Sequence, residues 1–424
     1  MRAIKDENAR EAYFVPPWRR VGLDCGQLRQ RKDFLAIKAF EERLSSLRSA
    51  IPRVSLDVDQ RRYLVRSLLA VVSVRVAIVF AAYFIFYIFV GREGAYWRDI
   101  FKEAFIRWDA ANFLRLAEHG YQAEGELGFY IVYLPAYPYA VAVLNVIVHS
   151  FLISALVISA VSALVAGFLL QQLVSVDGGD DAEATRALWY MTLFPTAYFL
   201  AMPYSESMFL MFVIAAFLGA RTQHWGWAGI MAAFATATRV QGLAILPGLA
   251  IEALVRHGTR APLKSYWLAL APVGFLVYLG INWVVADDPF RFVEIQRDHW
   301  HQRQIWPWEF MRDTVDSIRL QGPGFNRAAI YELRLIFVVV SAGLLLLGVR
   351  KLPLSYQAMG WAMIVMMMMS SWQLSIPRYT LGVFPLFLVM AYYGKNPLVH
   401  QVIMTTTPFL MGIFYVMFAT RFGF

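Results

Sequence analysis

A polytopic, all-helical membrane protein is the fold class this sequence predicts, and three observations predict it. The 424 residues are 59% hydrophobic and only 16% charged, with mean hydropathy +0.49, too apolar for a soluble domain of this length. Apolar runs near the length needed for a hydrocarbon core of ~30 Å, about 20 helical residues, recur from residue 67 to the end. The Lys and Arg behind the net charge of +9 cluster in the first 66 residues and in short spacers between those runs. That is the positive-inside pattern, so anionic lipid headgroups are the expected partners and nucleic acid is not. The single cysteine, Cys25, excludes an intramolecular disulfide framework and a Cys-rich metal site, and it reads as a plain thiol on the reducing side.

Residues 1–62 alternate charge and polarity without the apolar core of a cleavable signal, so they are expected to form a cytoplasmic basic and amphipathic segment. Within it, Phe34, Leu35, Ile37, Phe40, Leu44 and Leu47 recur near helical spacing with Lys38, Arg43 and Arg48 between them, which predicts an interfacial helix. The transmembrane domain is expected over 63–424. Its candidate spans are 67–91, 151–174, 187–202, 206–220, 225–238, 242–255, 266–285, 332–349, 354–371, 380–393 and 398–418. The stretch 129–149 holds Pro135, Pro138 and four tyrosines, which suit an interface or a re-entrant hairpin as well as a crossing.

Charge favours one of the two resulting topologies. If 129–149 does not cross, a cytoplasmic N-terminus places Arg186, Arg221, Arg256, Arg260, Lys264, Arg350, Lys351 and Lys395 all inside. If it crosses, Arg186 and Arg221 move outside, each misplaced charge counting for ~1 kcal/mol. The expected arrangement is therefore about eleven spans, an exterior C-terminus, and exterior loops at 92–128, carrying amphipathic helices, and 286–330.

Under that topology the polar residues at unexpected depth gather on the exterior face: Arg107, Asp109, Asn112, Glu118 and His119, then Glu206, Arg239 with Gln241, and Arg378 with Tyr379. A charge at bilayer depth costs at least ~2.5 kcal/mol on insertion scales, so such groups face a cavity or pair with one another. Each also has a plain structural reading. Asp109 caps a surface helix, Trp108 joins an aromatic belt, Glu206 complements a helix dipole, and Arg239 and Arg378 extend to headgroups. Arg75, inside the first span, calls for a partner such as a carboxylate from another helix. The run Met366 to Met369 reads as packing surface rather than a metal path.

Order along the chain lifts the set above its parts. The sequence carries Arg107-Trp108-Asp109 with Phe113, Ala117, Gly120 and Tyr121, then Tyr133-Leu134-Pro135-Ala136-Tyr137-Pro138, then Phe194-Pro195 ahead of Pro203-Tyr204-Ser205-Glu206-Ser207. Thr238-Arg239 with Gly242, Asp288-Pro289-Phe290 with Phe292, Gln296 and Trp300, Ile376-Pro377-Arg378-Tyr379 and Phe384-Pro385-Leu386-Phe387 follow. Over roughly 70–395 this pattern resembles the PIG-V-type mannosyltransferases of GPI-anchor assembly and their prokaryotic relatives. Two places depart from it: Ala110-Ala111-Asn112 follows Trp-Asp in place of a glycine-rich or Gly-Asn form, and the helix break reads Thr-Arg-Val-Gln-Gly.

The resemblance implies a GT-C membrane glycosyltransferase with a polyprenyl-phosphate sugar donor, a lipid-linked or glycan acceptor, an exterior or lumenal site, and Asp109 as catalytic base. It implies the plasma or inner membrane, or the endoplasmic reticulum membrane in a eukaryote. Arg107, Trp108, Asn112, Tyr204, Glu206, Arg239, Gln296, Trp300, Arg378 and Tyr379 are then the expected substrate-binding residues.

The chemistry is consistent with those types. Glycosyl transfer needs a base for the acceptor hydroxyl, cations for the departing phosphate and a wall that excludes water. The guanidinium forks of Arg239 and Arg378 match phosphate oxygens and stay charged at depth. No metal or cofactor is expected, since His299-Trp300-His301 is a poor zinc pattern and no Walker or Asp-x-Asp motif occurs. The loop Asp287 to Arg312 reads as a polar and aromatic sugar-binding lid or as a solvated connector. A secondary transporter or lipid flippase would also bury Arg75, Glu206 and Arg239 on short broken helices, and a noncatalytic subunit of a glycosylation complex would keep the fold alone.

Overall fold

The computed structural model describes residues 57–89, 97–324, 327–371 and 374–420. The predicted helix at 33–48 and Cys25 lie outside them. From Val58 onward the chain is one compact helical unit, and no strand occurs among the described residues beyond a single antiparallel bridge between Gln304 and Ser370.

Helix α1 (Val58–Phe89) is followed by α2 (Trp97–Phe105), α3 (Asp109–His119), the short turns of 125–132, α4 (Ala136–Val148) and α5 (Phe151–Val176). Then come α6 (Asp181–Thr192), α7 (Glu206–Arg221), α8 (Trp225–Thr238), α9 (Ile245–His257) and α10 (Val273–Ala286). The last part comprises α11 (Arg291–Asp298), α12 (Pro307–Leu320), α13 (Leu333–Gly348), α14 (Leu354–Met368), α15 (Ile376–Tyr379), α16 (Pro385–Tyr393) and α17 (Pro397–Ala419). The starts carry the expected signals: Ser150 accepts from the Ile153 N–H, Asp180 from Glu183, and Asn396 from Leu398, while Pro307, Pro385 and Pro397 stand at first helical positions.

Two ends of the bundle are fixed by contacts between distant residues. At the end where α1 begins, Arg66 binds Asp181, and Gln171 donates to the Tyr63 carbonyl and to Ser67. Here too Arg221 meets Asp177 at 2.6 Å and Glu252 at 3.1 Å, Arg256 meets Glu252 at 2.6 Å, and Lys395 meets Glu183 at 2.8 Å. Four of the basic residues expected inside therefore collect with the start of α1, counting Arg186, whose Nε donates to the Ala391 carbonyl. The opposite end gathers Asp109, Glu206, Arg239 and Arg378. The Trp108 indole donates to the Phe418 carbonyl, which brings the end of α17 to that side.

Because α1 starts and α5 finishes at the same end, the intervening segment leaves and re-enters at the other. The turns of 125–132 and α4 are bent by 119° against each other, the geometry of a broken span or a re-entrant loop. The prolines and tyrosines that made this stretch ambiguous are what allow the bend.

Among the described residues five helices are individually long and apolar enough to cross a bilayer, at Val58–Ile85, Phe151–Val176, Tyr266–Ala286, Ile330–Gly348 and Pro397–Ala419, and six if the bent pair is one span. The expected eleven is not reached on length. Runs 187–202, 206–220, 225–238, 242–255, 354–371 and 380–393 form helices of 9 to 16 residues broken at Pro, Gly or a charged residue. Helix α7 spans about 22 Å at 1.5 Å per residue, less than the hydrocarbon thickness. It is nevertheless almost entirely buried, since its neighbours α5 and α8 enclose it.

Among the described residues Arg75 meets no carboxylate. Its guanidinium donates to the Leu200 carbonyl at 2.8 Å and to Val71 at 3.4 Å, because the irregular turn after α6 leaves main-chain oxygens open to it.

This arrangement makes a topological prediction. In a Cys25→Ser background, a cysteine replacing exposed Ala123 should react with an impermeant maleimide on one face of sealed vesicles, and a cysteine replacing exposed Ser175 only on the other. Labelling of both from one side would contradict the antiparallel pairing of α1 and α5.

Candidate active site

The site begins with two carboxylates at helix starts. Asp109 is the first residue of α3 and Glu206 the first of α7, where unsatisfied N–H groups favour negative charge. Two arginines come from interruptions. Arg239 ends α8 in extended backbone, and Arg378 sits in the single turn α15. Gly242 lets the chain turn there: a Cβ at that position would lie 2.6 Å from the Ala235 carbonyl oxygen. The Thr-Arg-x-x-Gly spacing thus has a steric cause.

These four side chains alternate in sign. Arg378 Nη1 donates to Asp109 Oδ2 at 2.7 Å, Arg378 Nε lies 3.2 Å from Glu206 Oε1, and Arg239 Nη1 donates to the same Oε1 at 2.6 Å and to Ser205 Oγ at 3.0 Å. Glu206 is 5% exposed, Arg378 8% and Asp109 26%, so Asp109 is the member open to a ligand. Aromatic faces complete the cation seats: Arg378 stands over Phe199, Tyr204 and Tyr379 at 5.2–5.3 Å, and Arg239 over Tyr379 at 4.8 Å. Both arginines are turned to carboxylates, and the oxygens of Asp109 are taken by Arg378 and Tyr133.

The second oxygen of Asp109 accepts from Tyr133 Oη at 3.0 Å, and Asn112 donates to that hydroxyl at 2.9 Å. Phe113 packs against Tyr133, Tyr137 and Tyr204. Ser159 donates to the Tyr204 carbonyl eight residues below the start of α5, which sinks the quartet about 12 Å beneath that helix end.

A cavity of about 610 Å³ opens on the quartet, within the range of small-molecule sites. Asp109, Arg239, Arg378 and Tyr379 line its base, Tyr133 and Leu134 one wall, and Gln296, Trp300 and Gln302 another. The Trp300 indole donates to the Phe129 carbonyl, and its ring meets Tyr133 edge-on at 6.4 Å. Arg297 also lines the cavity but is engaged by Asp298, whose carboxyl the Arg297 hydrogen bond holds below its ordinary range.

The structure therefore brings together Asp109, Asn112, Glu206, Arg239, Gln296, Trp300, Arg378 and Tyr379. Tyr204 lies beneath, fully buried, donating to the Arg107 carbonyl. Arg107 and Trp108 do not reach the cavity wall. Arg107 Nε donates to the Glu103 carbonyl, and Trp108, at positive φ, is 44% exposed on the outer side. Tyr133, Ser205, Gln302 and Arg303 are the site residues that a search for charges at depth passed over. Tyr133 and Ser205 were legible within their Tyr-Leu-Pro and Tyr-Ser-Glu-Ser motifs, and Gln302 and Arg303 only as members of the loop from Asp287 to Arg312. Among the described residues no group of three His, Cys, Asp or Glu is placed to hold a metal.

Removing one charge from the quartet leaves the rest unbalanced. Glu206→Ala leaves buried Arg239 without a carboxylate and Arg378 with Asp109 alone, and should cost about 3–5 kcal/mol, read as a lowered melting temperature in detergent. Adding Arg239→Ala to the same chain should recover part of that loss, whereas strictly additive losses would show that the two side chains are not coupled.

Comparison with known proteins bears on the same residues. Residues 88–257, which hold Asp109, Tyr133, Glu206 and Arg239, match the family described as Mannosyltransferase (PIG-V). A GPI alpha-1,6-mannosyltransferase 2 of Cricetulus griseus is 30% identical over 148 residues, 32% of this chain and 29% of that protein, so the match spans under a third of the relative's length. No solved structure matches. Over residues 88–257 the chain is therefore similar to the PIG-V-type mannosyltransferases.

Proposed function

We propose that the protein is a membrane glycosyltransferase that moves a mannosyl unit from a polyprenyl-phosphate donor to a hydroxyl of a lipid-linked or glycan acceptor, on the exterior face and with inversion. The observation that carries the reading is that Asp109 is the one acidic residue lining the cavity among the described residues, and that it is held against Arg378.

In this reaction the acceptor oxygen forms a bond to the anomeric carbon as the bond from that carbon to the phosphate oxygen breaks, and the acceptor proton passes to Asp109. A single displacement inverts the anomeric centre and needs no covalent intermediate. Charge moves in step. The donor is a phosphodiester with one negative charge, and the departing prenyl phosphate carries ≈ −1.5 to −2, as phosphomonoesters do. While Asp109 is ionised, Arg378 is shared with it. As Asp109 takes the proton its hold on Arg378 falls, and the guanidinium is released to the growing charge on the phosphate, an interaction stronger in the transition state than before it.

Asn112 and Tyr133 hold the carboxylate in place. Trp300 and Gln296 supply an apolar face and polar contacts suited to a sugar ring. The recessed quartet matches donors whose prenyl tails stay among lipid chains.

Asp109→Asn keeps the size of the side chain and an oxygen for the Tyr133 hydroxyl. It takes one charge from the quartet and should lower the melting temperature, while Glu206 still holds Arg378; the inserted protein should transfer from polyprenyl-phosphate mannose in proteoliposomes about 10²–10⁴-fold more slowly. Undiminished turnover would remove Asp109 from the role of base.

A further inference from the structure

The charges around the cavity leave one cation over. Within the quartet, two arginines are matched by two carboxylates. Arg297, on the wall, is paired with Asp298 through two hydrogen bonds. Arg303 lines the same cavity, is exposed, and its guanidinium has no hydrogen bond or ion pair among the described residues.

The main chain of Arg303 is nonetheless fixed. Its N–H donates to Ser371 Oγ at 2.9 Å, and its carbonyl accepts from the Ser371 N–H at 2.9 Å. The neighbouring Gln304 forms an antiparallel bridge with Ser370, and the Ile305 N–H donates to the Met369 carbonyl at 3.2 Å. A short two-stranded clasp thus ties residues 303–305 to the end of α14. The side chain stands over the cavity with its donors free, from a backbone that does not need them.

We infer that Arg303 binds the phosphate of the lipid donor before transfer, an assignment that rests on the reaction proposed above. A phosphodiester brings one negative charge into a site whose other charges already cancel, and Arg303 supplies the one unmatched positive charge. A guanidinium offers two parallel donors to two phosphate oxygens. The division of labour follows. Arg303 holds the intact donor, Arg378 takes the additional charge that appears as the bond breaks, and Arg239 stays with Glu206 throughout.

The experiment uses the full chain in detergent micelles, with dolichyl phosphate as probe and binding followed by tryptophan fluorescence, alongside turnover in proteoliposomes. Arg303→Ala touches no side-chain contact and should fold as the parent does. It should weaken dolichyl phosphate binding about tenfold to a hundredfold, as expected for a lost charge-assisted hydrogen bond, and flatten the salt dependence of binding. It should raise KM for the donor and leave KM for the acceptor unchanged. Arg303→Lys should recover part of the loss, keeping the charge without the fork. If the parent binds the probe and Arg303→Ala binds it equally well, or if the defect falls on the acceptor alone, the assignment of Arg303 is overturned while the donor reading stands. If the parent does not bind the probe, the donor reading and the role of Arg303 fall together.

Discussion

The fold is organised around one constraint: four charges at positions 109, 206, 239 and 378 must neutralise one another where water is scarce. Each pair is short, and three of the four side chains are at most about a tenth exposed. Desolvating a charge costs several kcal/mol even after relaxation, so no member can be placed without the others. This explains why the helices here are short. A carboxylate that is to accept from arginines cannot stand in the middle of an uninterrupted apolar helix, but it can be the first residue of one. Asp109 and Glu206 both are, and their arginine partners come from a C-terminal cap and a single turn. The broken helices are the geometric consequence of putting ions at this depth.

A second ionic cluster holds the other end of the same helices. Helix α7 runs from Glu206, in the quartet, to Arg221, which binds Asp177 and Glu252. Tyr356 donates to Asp177 at 2.7 Å and Ser355 to Glu252 at 2.6 Å, which joins α5, α7, α9 and α14. With charged anchors about 22 Å apart along it, α7 has little freedom to slide. The depth of the cavity base is therefore set by the length of one buried helix, in contrast to the outer wall, which is built from the end of α11 and the residues that follow it to 304.

The sequence disclosed the charges better than the walls. Charge at improbable depth is a strong signal because its cost is large, and it pointed to Asp109, Glu206, Arg239 and Arg378. The same reasoning led to a carboxylate partner for Arg75, whereas the structure answers that arginine with the Leu200 carbonyl, since an irregular main chain at depth also presents acceptors. Arg107 and Trp108 were grouped with Asp109 by adjacency. Successive residues entering a helix point in different directions, and the positive φ of Trp108 turns its ring outward. Arg303 could not be singled out, because one arginine in a polar loop looks like any other until the clasp with Ser371 brings it over the cavity. Span counting by hydropathy was limited for a related reason: a buried helix of 16 residues and a crossing helix are equally apolar.

On the proposed reaction, the neutrality of the quartet decides how substrate and product are told apart. A strongly cationic cavity would hold the doubly charged prenyl phosphate tightest of all and would be blocked by its own product. Here the extra cation beyond Arg303 exists only while Asp109 is protonated. Once Asp109 loses that proton to water, its carboxylate competes again for Arg378, and the leaving phosphate faces a partner that is already satisfied. Asp109 is the most exposed of the four, 26% against 11% or less for the others, which is where a proton has to depart. The ion pair between Asp109 and Arg378 thus acts twice, lending its cation to the transition state and reclaiming it so that the product is left with Arg303 alone.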